Sequence, residues 1–245
     1  MKLVVWNIGH RATQRKISPL LASAVMSLEP DILVLTEYVH SARCDLFLSE
    51  LAENGLSHSL MTPNVPGQNQ VIVVSRTRLE AGEITAPAID PFLPSNILHV
   101  RQPEECFELL GVRVPWYAKA AEKNGCWDWL FETAQAVIDR PFVLLGDFNT
   151  DVDKQGVRNP RIGRLLQQGW QHALPDYGQS YYGLTGSTSR IDHAFVSRHF
   201  VIQSAEYVSK RTPYNFSELG DDRFSDHAPL LLDIEAHDNH LDVLR

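Results

Sequence analysis

Cysteine is scarce in this chain. The three present, Cys44, Cys106 and Cys126, are odd in number and lack the close spacing of metal-binding thiols. That argues against a disulfide scaffold and against structural zinc, which wants several Cys or His at fixed intervals. Long apolar runs are missing as well: Leu3–Trp6 and Ile32–Leu35 are among the longest, far short of the roughly 18 residues of a membrane span. The apolar part of Met1–Asn7 is too short for a secretory signal. Positive charge is in deficit, 22 Lys and Arg against 30 Asp and Glu, for a net charge of −8. Non-specific wrapping of nucleic acid, which needs a broad basic surface, is thereby disfavoured, although a local basic cleft on an acidic body is not. There is no Gly-x-Ser-x-Gly elbow, no Gly-Lys-Ser/Thr phosphate loop and no His-Glu-x-x-His, so serine-hydrolase, P-loop and zinc-protease readings fall away. The expectation is a reduced, cytoplasmic protein without a membrane span.

What is there suits one large domain. The 245 residues are 44% hydrophobic, enough for a sizeable core, and no repeat or composition break divides them. The domain is placed at 1–235, with 236–245 as a patternless tail. Leu3–Trp6 reads as a buried strand. Ser18-Pro19 has the chemistry of a helix start, followed by Leu20, Leu21, Ala24, Val25 and Leu28 at helical spacing and a stop at Pro30. Asp31–Thr36, Val71–Ser75, Phe107–Val114, Phe142–Leu145, Ile191–Ser197, Val201–Val208 and Ala228–Ile234 read as strands, and Trp127–Ile138 as a helix. Segments 61–70, 85–96, 151–161 and 210–224 read as long surface loops of the kind that shape binding sites.

Polar residues collect at the strand ends. Asn7 closes the first strand and Glu37 follows the second, while Asp147 and Asn149 follow the strand at 142–145. Asp192 opens a late strand, and Asp226-His227 precedes another. Taken singly, each is a common turn residue. Together they are carboxylates, amides and one imidazole, a hard-oxygen environment suited to magnesium or manganese.

The order of these pieces resembles the endonuclease/exonuclease/phosphatase superfamily of metal-dependent phosphoesterases. The resemblance runs from Trp6-Asn7 through Leu35-Thr36-Glu37 and Gly146-Asp147-Phe148-Asn149 to Ser189-Arg190-Ile191-Asp192-His193 and Ser225-Asp226-His227-Ala228-Pro229. It implies an α/β fold, a four-layered sandwich of two mixed β-sheets face to face, flanked by helices. It implies that Glu37, Asn7 and Asp226 serve the metal, with Asn7 also positioning phosphate. Asp147 matches the residue that orients the attacking water or protonates the leaving oxygen, and Asn149 a phosphate-contacting amide. Asp192 and His227 match an Asp–His pair beside the scissile phosphate. Two positions depart from the pattern: Gly9 stands where some members carry an aspartate, and Arg113 where many carry Tyr or His. Arginine binds a phosphate oxygen but cannot act as a general acid near neutral pH. Strand periodicity puts Arg113 on the face of Leu109 and Gly111, so the expectation is a phosphate anchor, the rival an ion pair with a core carboxylate.

Other candidates are weaker. Lys154, Arg158, Arg161 and Arg164 face either a phosphate backbone or solvent. Trp116, Trp170, Tyr181 and Tyr182 are candidates for base stacking or for the core. His10, which follows the end of the first strand, either reaches the site or, the leading reading, is a loop residue; His193, next to Asp192, points to the opposite face. The function implied is a Mg2+- or Mn2+-dependent phosphoester hydrolase, first a nuclease acting on nucleic acid. A phosphatase or diesterase acting on a small phosphorylated molecule is the alternative, favoured by the acidic charge, and a non-catalytic binding scaffold comes third. No obligate protein partner is implied.

Overall fold

The computed structural model describes residues 1–10, 18–41, 43–65, 68–116, 119–154 (without the side chain of Lys154) and 156–237. Its core is two sheets of six strands each. In chain order the strands are β1 (Lys2–Asn7), β2 (Ile32–Tyr38), β3 (His58–Met61), β4 (Gln70–Ser75), β5 (Glu80–Ala81) and β6 (Ile97–Gln102). They continue as β7 (Phe107–Arg113), β8 (Phe142–Asp147), β9 (Gln171–His172), β10 (Asp192–Val196), β11 (Phe200–Tyr207) and β12 (Leu230–Ala236). The first sheet runs β11-β12-β1-β2-β4-β3 and the second β9-β10-β8-β7-β6-β5. Each is mixed, with one parallel pair, β1/β2 and β7/β8, among antiparallel neighbours.

Alternation along the strands sorts the apolar side chains into layers. Leu3 and Val5 of β1, Val34 of β2, Leu109 of β7, and Val143 and Leu145 of β8 meet between the sheets. Val4, Trp6, Leu33 and Leu35 face outward onto α1 (Leu21–Met26) and α2 (Cys44–Glu53). Leu110, Val112, Phe142 and Leu144 face outward onto α3 (Ala120–Val137) and α4 (Pro160–Gln167). Helix, sheet, sheet, helix: these are the four layers expected. A one-residue slip would exchange the two faces of a strand. Since each buried Val or Leu contributes about 1.5–3 kcal/mol relative to exposure, the register is firmly set.

Several elements differ from the expectations. The first helix runs only over Leu21–Met26, beginning two residues after the expected start at Pro19, with Leu20 rather than Ser18 at its N-cap, although the Ser18 Oγ does accept from the Leu20 N–H at 3.2 Å. The second long helix starts at Ala120, ahead of Trp127. The last strand extends through Ala236, the first residue assigned to the tail; residues 238–245 of that tail lie outside the described residues. No helix among the described residues is long and apolar enough to cross a membrane.

The parallel pairs decide where the chemistry sits. The sheets pack with β1 across β8 and β2 across β7. Both pairs end in the same direction, so the ends of four strands share one edge: Asn7, Glu37, Arg113 and Asp147. The antiparallel neighbours begin there, which adds Asp192 opposite Asp147 in register and the segment before Leu230.

Candidate active site

The loop after β8 is shaped by its glycine. Gly146 has φ of 150°, and a Cβ there would fall 1.7 Å from the Val112 carbonyl oxygen. Only glycine lets β8 approach β7 so closely before the chain turns. Asp147 then ends the strand in a buried position. Its Oδ1 accepts from the Asn149 backbone N–H at 2.8 Å and its Oδ2 from the Asn149 amide at 3.1 Å. Asn149 has φ of 46°, a left-handed conformation that asparagine tolerates. From the facing sheet, Asn7 Nδ2 donates to Asp147 Oδ2 at 2.9 Å, while Asn7 Oδ1 accepts from the Gly9 N–H at 3.0 Å. Burial, and then the neighbouring Asp192, push the Asp147 carboxyl up to about 6, against the pull of His227 and Arg113.

Asp192 and His227 form a second buried pair, with 2.8 Å between Asp192 Oδ2 and His227 Nδ1. Ser180 positions the aspartate: its Oγ accepts from the backbone N–H groups of Ile191 at 2.8 Å and Asp192 at 3.0 Å. The Ser225-Asp226-His227 segment hangs on the end of β1. Ser225 Oγ donates to the Asn7 carbonyl at 2.7 Å, and Trp6 Nε1 donates to the His227 carbonyl at 2.7 Å. Tyr181 lays its ring edge-on against the His227 ring, with centroids 5.2 Å apart. Burial disfavours a charged imidazole, but Asp192, its hydrogen bond, Asp147 and Asp226 outweigh it and push His227 up to about 9.

Glu37 stands on strained backbone. Its φ of 51° coincides with the register shift between Leu35 and Tyr38 against β4, a bulge that re-aims the side chain toward the edge. Left-handed backbone costs a non-glycine residue about 1–2 kcal/mol. Strain of this kind is commonly retained at functional sites. Arg113, on the inter-sheet face as its periodicity predicted, reaches Glu37 Oε1 with Nε at 2.9 Å and Nη2 at 2.7 Å. The rival reading of Arg113 is therefore what the structure displays: its anion is the Glu37 carboxylate. His10 Nε2 lies 3.2 Å from Glu37 Oε2, and Asn96 Oδ1 accepts from Arg113 Nη1 at 3.5 Å. Burial works to raise the Glu37 carboxyl, but Arg113 and His10 outweigh it and hold the group below its ordinary value.

Asn7, Asp147 and Asn149 are thus joined directly, as are Asp192 and His227, and Glu37 and Arg113. Asp226 sits beside the turn at Gly9, where an added Cβ would come within 3.4 Å of Asp226 Oδ1. The residues passed over in the sequence are the positioning groups Ser180 and Asn96, while for His10 the lesser of its two readings, that it reaches the site, is the one the structure displays. His10 had one signal, its place three residues after Asn7. Trp170 is no stacking candidate, because it is buried under α4 against Phe142. Trp116 is exposed. His193 faces the core as expected, 2.8 Å from the Thr150 carbonyl. Of the basic group, Arg158 pairs with Asp153 and Arg164 with Asp128; the Lys154 side chain lies outside the described residues.

The donor set suits magnesium or manganese. No three His, Cys, Asp or Glu side chains among the described residues stand together as a ready-made cage. Magnesium does not require one, since it keeps several waters and takes one or two carboxylates. The edge offers the Glu37 and Asp226 carboxylates, the Asn7 amide oxygen, and Asp192 Oδ1, a buried oxygen without a hydrogen-bond donor.

The sequence matches the profile described as the Endonuclease/Exonuclease/phosphatase family over residues 4–227. Among curated proteins none matches. Among solved structures, an AP endonuclease from Archaeoglobus fulgidus superposes with a TM-score of 0.72 at 16% identity, over 96% of this chain and 100% of that one. The 3′-5′ exonuclease NExo from Neisseria meningitidis gives 0.70 at 21% identity, over 96% and 100%. The 3′ phosphatase NExo from Neisseria, bound to a product DNA hairpin, gives 0.70 at 20% identity, over 96% and 99%. At these identities the likeness is one of fold.

Proposed function

We propose, from the premise that this chain belongs to the endonuclease/exonuclease/phosphatase family, that it is a magnesium- or manganese-dependent nuclease. It would cleave phosphodiester bonds by in-line attack of water. The observation that carries this reading is the meeting of two buried pairs, Asn7–Asp147 and Asp192–His227, with Glu37 at one sheet edge. Glu37, Asn7 and Asp226 would hold the metal. When bound, a divalent cation neutralises phosphate charge and stabilises the oxyanion that develops in the transition state.

The chain's own groups divide the remaining work. Asp147, fixed by two amides, orients the attacking water and takes its proton as the new P–O bond forms, while the P–O bond opposite breaks and the departing sugar oxygen takes a proton from solvent water. His227, charged through its partnership with Asp192, donates to a phosphoryl oxygen. Asn149 and Arg113 bind the other oxygens; Arg113, paired here with Glu37, would be free to turn to phosphate with Glu37 serving as a metal ligand. A nucleic-acid substrate is supported by the fold neighbour seen with a DNA hairpin. The second reading, a small phosphorylated substrate, is supported by the net charge of −8.

The test is a panel of plain, nicked and abasic DNA, RNA, and small phosphoesters with magnesium, manganese or chelator. Cleavage of a nucleic acid that chelator abolishes is expected. Full activity in chelator would overturn the metal-dependent reading, and turnover of small esters alone would replace the nuclease with the second.

A further inference from the structure

The region beyond Arg113 carries an aromatic ring and two cations that the fold leaves unused. Trp116 is 75% exposed, whereas Trp6, Trp127 and Trp170 are buried. Indole is among the side chains most costly to leave in water, and its exposure needs a reason. It lies close to the chemistry. Val114 is pinned to the catalytic edge at both polar groups, its N–H donating to the Asp147 carbonyl at 2.8 Å and its carbonyl accepting from Asn149 Nδ2 at 2.8 Å. Trp116 is two residues further on, within about 7 Å of chain.

The Lys123 ammonium from α3 covers one side of this ring at 5.1 Å from its centroid. That braces the indole, most of whose surface stays exposed. Arg161, at the start of α4, lies over the Trp127 ring at 5.5 Å and donates to the neutral Asn124 at 2.8 Å. The cations around them are neutralised: Lys119 by Glu122, Arg158 by Asp153 and Arg164 by Asp128. Lys123 and Arg161 have no carboxylate in contact among the described residues, and they lie near enough that Arg161 lowers the affinity of Lys123 for its proton, after burial. Two cations without a contacting carboxylate, Arg161 feeling the longer-range pull of Asp128, beside an exposed aromatic ring fit an alternating ligand, flat base and anionic phosphate, on a protein that is acidic overall.

We infer that Trp116, Lys123 and Arg161 bind the substrate strand next to the scissile phosphate, with an unpaired base stacked on Trp116 and backbone phosphates held by the two cations. This rests on the nuclease reading and narrows it to a strand with an accessible base at that position.

The experiment separates the two ideas. In chelator, where no cleavage is expected, a short oligothymidylate should quench the fluorescence of the exposed Trp116, and Trp116→Phe should lose that quenching. Measured by anisotropy of a labelled strand, Trp116→Ala should bind about 5- to 160-fold more weakly, the range expected for one lost base–aromatic stack. Trp116→Phe should recover much of the binding. Lys123→Ala and Arg161→Ala should each flatten the salt dependence by about 0.7 in log–log slope. With metal, Trp116→Ala should lower the ratio of kcat/KM for the oligonucleotide to that for bis(4-nitrophenyl) phosphate by the same factor. Unchanged binding of the strand by Trp116→Ala overturns the inference, as does an equal loss for an oligomer of base-free deoxyribose phosphates. If the wild type cleaves neither substrate, the nuclease reading fails, while the quenching in chelator still decides whether this surface binds a strand.

Discussion

Asp147, Asp192 and His227 lie almost wholly out of water, whereas across the same edge the side chains of Glu37, Arg113 and His10 are 16, 14 and 53% exposed. The buried group is held by neutral hydrogen-bonding groups: hydroxyls, an indole, amides and backbone. Ser180 positions Asp192, Trp6 and Ser225 position His227, and Asn7 and Asn149 position Asp147. The open group is held mainly by opposite charge, with one hydrogen bond from Arg113 to Asn96. Hydrogen bonds in a dry site fix geometry but make each charge costly, while partly solvated ion pairs exchange partners cheaply. In the proposed mechanism this difference gives proton handling to the buried half, where position matters most. The arrival of metal and phosphate would fall to the open half, where charges have to be traded.

The largest expected effect breaks the buried half. Asp147→Asn keeps the shape and removes the carboxylate, and cleavage should fall by about 10²–10⁴-fold, as for other lost acid–base groups. Stability should move the other way. The folded protein holds the Asp147 proton up to about 6, above the ordinary 3.8. Its carboxyl therefore disfavours the folded state progressively as pH rises from about 3.8 through 6, and by its full amount beyond that. In chelator at pH 8, Tm of Asp147→Asn should equal or exceed that of the wild type. A lower Tm would mean that the carboxylate is a structural tie and not a stored cost.

A smaller effect tests the open half. Arg113→Ala should raise KM by about tenfold or more, the worth of one charged hydrogen bond, and Arg113→Lys should recover only part because it lacks the planar fork. The same substitution frees Glu37, so the magnesium concentration for half-maximal rate should fall. These readouts separate two roles. A guanidinium that only neutralises Glu37 predicts tighter metal with KM unchanged, and one that also anchors phosphate predicts both changes. Unfolding of Arg113→Ala would make the pair structural.

The legibility of the sequence divides along similar lines. Strands such as β1, β2, β4 and β8 were readable because they are short, nearly unbroken apolar runs, and the polar residues that end them announced the site. Helix α2 was not, because its start at Arg43 has no side-chain cap and its buried face is only Cys44, Phe47 and Leu51. Strand β6 hid behind its buried polar residues His99 and Gln102. The face of Arg113 followed from alternation within its own strand, but its partner lies 76 residues away in the other sheet, beyond the reach of any local pattern. Ser180 and Asn96 matter only because the chain returns to the edge there.

The smallest expected effect sharpens the contrast inside one strand, where Asp192 points into the site and His193 into the core. His193 Nδ1 lies 3.2 Å from His172 Nε2, and the His172 ring stacks on Phe195 with centroids 4.6 Å apart. Burial and the neighbouring His193 lower His172 to about 2, and burial lowers His193 as well. Both rings are therefore neutral in the folded protein near neutral pH, while the unfolded chain protonates each near 6.5. The sign follows: the pair does not weaken the fold above about 6.5, and stability is lost as pH falls below that value, for His172 by about 1.4 kcal/mol per pH unit down toward its folded value of about 2, with His193 acting in the same direction. His172→Phe keeps the stack on Phe195 and removes one of the two protons. It leaves His193 Nδ1 without a partner, so absolute stability should drop at every pH. The slope of unfolding free energy against pH between about 4 and 6 should nevertheless be shallower than in the wild type by one histidine's share, as denaturant titrations at several pH values would show. Equal slopes would mean that acid destabilisation arises elsewhere, and that the core side of β10 is not kept dry as the site side is.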